Sequence, residues 1–180
     1  MVEIIKAIFE PQGHPIDYRI MPWNRALLAA KSGDIDALLC IDPYTDASLL
    51  YHKNPIGCYQ DALIGPASLQ WSFQGIESLT TVHLGVEDQY GIAQDFKDYA
   101  ARPGNKMVHV ITGEDPIETA YQMLERGRLD LIYNDVSAFF WKLKQHGGDL
   151  SKYRVFHPLN KGSMYIGFYP QLPQASRYLD

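Results

Sequence analysis

The feature that most restricts how this chain can fold is a unit that occurs twice. The stretches "GDIDALLCID" at 33–42 and "GRLDLIYND" at 127–135 each hold a glycine, an Asp directly before a short apolar run, and a second Asp where that run ends. A helical pattern precedes each one. In "PWNRALLAAKSG" Trp23, Ala26, Leu27 and Ala30 fall at i, i+3, i+4 and i+7, and in "GEDPIETAYQMLERG" Ile117, Ala120, Tyr121 and Leu124 do the same. Pro22 and Pro116 stand at the helix starts, and Gly33 and Gly127 at their ends. Short continuous apolar strands alternating with helices predict parallel-rich sheets covered on both faces, and two such units predict two α/β lobes.

The remaining segments fit between these units. Val2–Glu10 has helical periodicity and stops at "PQGH"; Ile16–Ile20 reads as a short strand. "IGCYQDALIGPASLQW" has no helical period and suits a strand crossing between lobes. "TVHLGVEDQYGIAQDFKDYA" gives strand, turn and helix, and "MYIGFYP" a strand that returns to the first lobe. Ligands of open parallel sheets sit beyond the carboxyl ends of the strands. Asp42 and Asp135 both lie at such ends, so facing lobes would place them across one cleft.

Composition narrows the function classes. Apolar residues at 46% and charged residues at 21% belong to a folded globular protein rather than a disordered one. A net charge of −5 gives no electrostatic reason to expect nucleic acid or anionic lipid as a partner. The longest apolar runs, such as Ala37–Ile41, are too short for membrane insertion. "VEIIKAIFEPQG" after Met1 lacks the basic start and cleavage site of a secretory signal. Cys40 and Cys58 lie in apolar runs without CxxC spacing, and buried thiols are expected of them. The six histidines show no metal-ligand spacing, and no GxSxG, P-loop or GxGxxG occurs, so neither metal nor cofactor is expected.

The segments "MPWNRALLAAKSGDIDALL", "SLTTVHLGVEDQYG" and "MLERGRLDLIYND" resemble, in order and spacing, the extracellular solute-binding protein family 3. These are periplasmic binding proteins of ABC transporters for polar amino acids. The resemblance implies a type II periplasmic-binding fold with a two-strand hinge near Cys58–Asp61 and His157–Ser163. Lobe one would comprise residues 1–58 plus 163–180, and lobe two residues 59–162. It implies a small-molecule solute, a membrane permease as partner and a periplasmic location. Family members begin with a strand before the first helix and continue past the position matching Asp180, so the chain is expected to be shortened at both ends.

The resemblance also assigns roles. Trp23 falls where the family stacks an aromatic ring on its ligand, although its helical spacing also suits a core position. Asp135 matches the acid that receives an α-ammonium group, or caps the helix "VSAFFWKLKQ". Tyr90 and Gly91 occupy the turn whose backbone N–H groups hold a carboxylate. In "CIDPYTDASLL" Ser48 stands where amino-acid binders carry the arginine that grips the α-carboxylate. Cys40 and Asp42 begin this loop, and Asp42 with Asp46 makes it acidic, which favours a cationic or neutral solute. Arg25 is a substitute cation or an exposed helix-face residue.

Three functions compete. The first is solute binding for transport, with no catalysis. The second is the ligand-sensing input domain of a membrane receptor. The third is an enzyme with Cys40 as nucleophile near His52, which requires a neighbouring base to activate the thiol.

Overall fold

The computed structural model describes all residues except 89, 114, 174 and 180. Packing divides the chain into two compact units, Met1–Lys53 with Ile166–Asp180, and Asn54–Tyr165. The chain passes between them twice. The lobe bounds at 58/59 and 162/163 concern where lobes would hinge, and they stand as a proposal.

Unit 1 begins with α1 (Val2–Phe9), which buries Ile5. Residues 14–22 form neither helix nor strand, so the strand expected at Ile16–Ile20 does not exist. Pro15 and Pro22 flank the segment, and Asp17, Tyr18, Arg19 and Ile20 are exposed; without a buried face nothing fixes a strand register there. Helix α2 (Trp23–Ser32) follows Pro22 and buries Ala26 and Ala30. Gly33 ends it at φ 83, a left-handed conformation that glycine adopts without strain. Strand β1 (Ala37–Ile41) follows, then β2 (Leu50–Tyr51). Leu38, Ile41 and Leu49 pack on Ala26 and Ala30, with Trp23 half-buried against them.

Unit 2 contains β3 (Gly57–Pro66), β4 (Leu84–Glu87), α3 (Gln94–Ala100), β5 (Val108–Ile111), α4 (Pro116–Glu125), β6 (Leu131–Asp135), α5 (Val136–Gln145) and most of β7 (Tyr153–Phe168). Its sheet runs β7-β3-β6-β4-β5. β4 is parallel to both β5 and β6, whereas β3 is antiparallel to β6 and β7. The sheet is therefore mixed. The last residues of β7 belong to unit 1, where β2 pairs with them antiparallel, Leu50 opposite Phe168.

The continuous apolar runs bury both faces of this sheet, because successive side chains of a strand point to opposite sides. On one face Ala62, Ile64 and Ile132 pack with Ala120, Leu124, Phe139 and Leu143 of α4 and α5. On the other, Leu63, Leu131 and Tyr133 pack with Phe96 and Tyr99 of α3. Burying each such large apolar side chain contributes about 1.5–3 kcal/mol. Gly85 lies in the middle of β4 because a Cβ there would stand 2.6 Å from Leu129 Cδ1 and 2.8 Å from Ile111 Cδ1.

Candidate functional site

The same alternation decides which polar groups meet where the apolar runs end. Counting back from Leu63 and forward from Tyr133, Asp61 and Asp135 fall on the α3 face of the sheet. They are register partners across β3 and β6. Asn134 and Glu87 fall on the α4/α5 face. All four lie at or beside the carboxyl ends of β4 and β6, where an open α/β sheet binds ligands.

Asp135 is 8% exposed and both its carboxylate oxygens are engaged. Oδ1 accepts the N–H of Ala138 at 2.8 Å, capping α5, and Oδ2 accepts the N–H of Gln60 at 2.8 Å. The capping role read from the sequence is thus present. Asp61 is 2% exposed. Burial pushes its carboxyl group above the usual range and the Asp135 charge adds to this, opposed by hydroxyls of Tyr90 and Tyr133. Tyr90 donates its hydroxyl to Asp61 Oδ1 at 2.6 Å. Burial, and then this carboxylate, hold the Tyr90 hydroxyl far above the ordinary phenol range. The Tyr133 hydroxyl is pushed up to about 12, first by burial. It accepts the Ala93 N–H at 3.2 Å, and its ring meets that of Tyr90 edge-on at 6.1 Å.

On the opposite face burial raises the Glu87 carboxyl, with Asp115 adding and the Asn134 amide opposing. Asn134 Oδ1 is buried without a hydrogen-bond partner among the described residues. Unit 2 therefore offers three partly desolvated carboxylates at one end of its sheet. Such a set attracts a cation or an amine and repels an anion.

The turn after β4 uses much of its backbone internally. Asp88 N–H donates to Ile111 O, Tyr90 N–H to Glu87 O and Ile92 N–H to Tyr90 O. Gly91 is exposed, with open space where a Cβ would lie. Residue 89, in the same turn, lies outside the described residues.

In unit 1, Trp23 is the first residue of α2 and lines a groove of about 730 Å³ with Ile5, Phe9, Leu38 and Phe168. Cys40 lines the same groove at φ 61, a strained conformation for a residue with a Cβ. Asp42 closes a turn: Oδ1 accepts the N–H groups of Tyr44 and Thr45, and Oδ2 the Thr45 hydroxyl at 2.9 Å. Ser48 is exposed and gives both its N–H and its hydroxyl to Asp46 Oδ1. Asp46 also pairs with Lys31 at 2.8 Å, and Lys31 with Ser48 lowers its carboxyl to about 2. Asp42 and Ser48 share a loop but belong to separate turns. Tyr90 and Asp135, by contrast, meet around Asp61.

Cys40 and Cys58 are both exposed, which corrects the expectation of buried thiols. Cys58 sits near the start of β3 before the strand becomes buried, and Cys40 is the exposed fourth residue of β1, at a positive φ. His52 accepts the Ile166 N–H on Nε2 at 3.0 Å, which occupies a lone pair that a general base would use. Asp61 escaped the sequence reading. It stands inside an apolar strand, and its pairing with Asp135 exists only once β3 and β6 are adjacent.

No protein-family model and no curated protein sequence matches the chain. Solved structures do. An ancestral arginine-binding protein bound to arginine superposes with a TM-score of 0.74 at 20% identity, over 99% of this chain and 77% of that one. The substrate-binding protein of an ABC uptake transporter from Streptococcus pneumoniae, with bound histidine, gives 0.73 at 17% identity, over 99% and 73%. A histidine kinase sensor domain with similarity to periplasmic binding proteins gives 0.70 at 16%, over 97% and 73%. The fold is that of the periplasmic binding proteins. These neighbours are two binding proteins and a sensor domain. Among the described residues no helix is long and apolar enough to cross a membrane.

Proposed function

We propose that this chain binds a small polar solute bearing a positive charge, an amino acid or a related amine, and presents it to the membrane permease of an ABC transporter outside the cytoplasm. The observation that carries the reading is the pair Asp61 and Asp135, two buried carboxylates in register beside the carboxyl ends of the parallel strands β4 and β6 of a mixed sheet. Their mutual repulsion is relieved when a cation enters, so part of the affinity comes from tension already present in the free protein. Asp135 takes the solute's ammonium group, and Trp23 is the aromatic contact that the resemblance implies. Tyr90 and Gly91 contribute as the turn beside the acids, and Cys40, Asp42 and Ser48 as an acidic loop without the family's arginine. Membership of family 3 belongs to the same proposal.

Support comes from the fold and from neighbours that hold arginine and histidine. The test is isothermal calorimetry against arginine, lysine, histidine, glutamine, glutamate and a diamine such as putrescine. Cationic members should bind most tightly and glutamate not at all. Tight glutamate binding, or silence across the whole panel, overturns the reading.

The likeness to a histidine kinase sensor domain favours a second reading, in which the same solute is sensed rather than transported. The full-length gene separates the two: a sensor continues into a membrane span and a signalling domain, whereas a transport protein is encoded beside a permease.

A further inference from the structure

Two of the six histidines come together at the other end of unit 2. His83 directly precedes β4, and His109 is the second residue of β5. The parallel register, Gly85 opposite His109, places them diagonally across adjacent strands. His83 Nδ1 lies 2.9 Å from His109 Nε2, with the ring centroids 5.0 Å apart. The backbone on both sides is pinned. His83 N–H donates to Asp130 Oδ2 at 2.7 Å, Asp130 N–H and Leu131 N–H return to His83 O, and Leu84 N–H donates to Met107 O at 2.8 Å.

We propose that His83 and His109 form a chelating site for a late first-row divalent cation, Ni²⁺ or Cu²⁺, with water completing its coordination. Imidazole nitrogen is a preferred ligand of these ions, which favour tetragonal geometry with neighbouring ligands about 90° apart. Two nitrogens at about 2.05 Å from a metal and at right angles are about 2.9 Å from each other. The two histidines already stand at that separation. In the metal-free protein one ring donates its N–H to the other; a metal replaces that proton and takes both lone pairs.

Three further observations agree. His109 stands on β5 and His83 is the residue next to β4 with its backbone held by Asp130 and Leu131, so little ordering is required on binding. His83 is exposed and His109 half-buried, which leaves open positions for water. Burial, and next the neighbouring His83, disfavour the charged form of His109. The site is independent of the solute reading, because it lies beyond the amino end of β4 while Glu87 and the acids occupy the carboxyl end.

The spacing of His83 and His109 in the sequence gives no metal motif, since the ligands come from two strands joined by a helix. A second cluster in unit 2, Asp115, Glu118 and His146, also brings three ligand atoms within 4.8 Å of one another. There Lys142 already pairs with Asp115, and His146 Nε2 already faces Glu118 Oε2. That cluster serves as the control.

The experiment is calorimetric titration of the tag-free full chain with NiCl₂ at pH 7.5, alongside the variants His83→Gln, His109→Gln and His146→Gln. One equivalent should bind to the unmodified chain, and either strand variant should weaken binding by tenfold or more while His146→Gln leaves it unchanged. MgCl₂ at the same concentrations should give no such isotherm. Paramagnetic broadening of histidine ring resonances in long-range ¹H–¹⁵N spectra supplies a readout that does not depend on the variants, and it should strike His83 and His109 first. Loss of binding in His146→Gln alone, broadening centred on His146, or unchanged binding in both strand variants overturns the proposal.

Discussion

Asp61 and Asp135 stand directly opposite each other on β3 and β6, both buried and both acidic, with Tyr90 donating to one and two backbone amides to the other. Like charges opposite one another weaken a sheet. Asp135 has its hydrogen bonds supplied by the backbone, whereas Asp61 carries the strain, and burial is the larger part of it.

Replacing Asp61 with Asn should therefore stabilise the protein while impairing binding. The folded-state pKa of Asp61 is raised, so folding holds its proton more tightly than the unfolded chain does. The stability contributed by this group is present below the ordinary carboxylate pKa and is lost as pH rises through the raised value. At neutral pH Asp61→Asn removes that cost and should raise the unfolding midpoint, with the difference vanishing near pH 3. Affinity for a cationic solute should fall about tenfold or more, as one charged partner is gone. Urea melts at pH 3, 5 and 7.5 check the first part and calorimetry the second. A stability difference that persists at pH 3 would place its origin in packing.

Asp135 should behave in the opposite sense. Asp135→Ala removes the cap of α5, worth about 1 kcal/mol, and strands the Gln60 amide, worth about 1–3 kcal/mol more. Destabilisation of about 2–4 kcal/mol is expected. Asp135→Asn retains one acceptor oxygen and should recover roughly half of it, yet bind cationic solutes no better than the alanine variant. Denaturant midpoints and binding isotherms on the two variants separate structure from recognition.

The helices, the two look-alike strands β1 and β6 and the end positions of Asp42 and Asp135 were legible because apolar period, proline and glycine are local signals. Asp61 was not. Its position depends on the antiparallel placement of β3 beside β6, and nothing local to "YQDALIGP" specifies that neighbour. β5 was missed for a related reason: Val110 is exposed and His109 half-buried, so its four residues lack a clean alternation. The expected strand at Ile16–Ile20 shows the reverse error, residues of suitable type with no buried face to pack. The histidine pair repeats the lesson of Asp61, since its 2.9 Å contact is a product of register and not of spacing.

The loop 42–49 should make part of the acid response. Lys31 and Ser48 depress the Asp46 carboxyl to about 2 from its ordinary 3.8. A depressed folded pKa contributes stability that is present above about pH 4 and is lost as pH falls towards 2. Lys31→Met removes the largest cause and should narrow that window from below. The group is near the surface and salt screens it, so the shift should shrink in 1 M NaCl. Acid titration followed by circular dichroism, with and without salt, reads both effects; identical curves for the variant and the unmodified chain would assign the loop no share in acid unfolding.

The last prediction concerns the arginine that Ser48 displaces in the resemblance. Ser48 is exposed, and among the described residues its side chain is committed to Asp46, so a larger residue fits without disturbing the buried cluster around Leu49. Ser48→Arg places a guanidinium where the resembling family grips an α-carboxylate, with Asp42 and Asp46 close enough in sequence to orient it. A bidentate pair of this kind contributes a few kcal/mol, so arginine, lysine or histidine should bind about a hundredfold tighter to the variant. Amines without a carboxylate, putrescine for example, should bind no better, and somewhat worse if the new charge repels them. The contrast between the two ligand classes is the decisive measurement. An equal gain for amino acids and diamines would mean that the substitution acts through the loop's conformation, and no gain for either would remove Ser48 from the recognition surface.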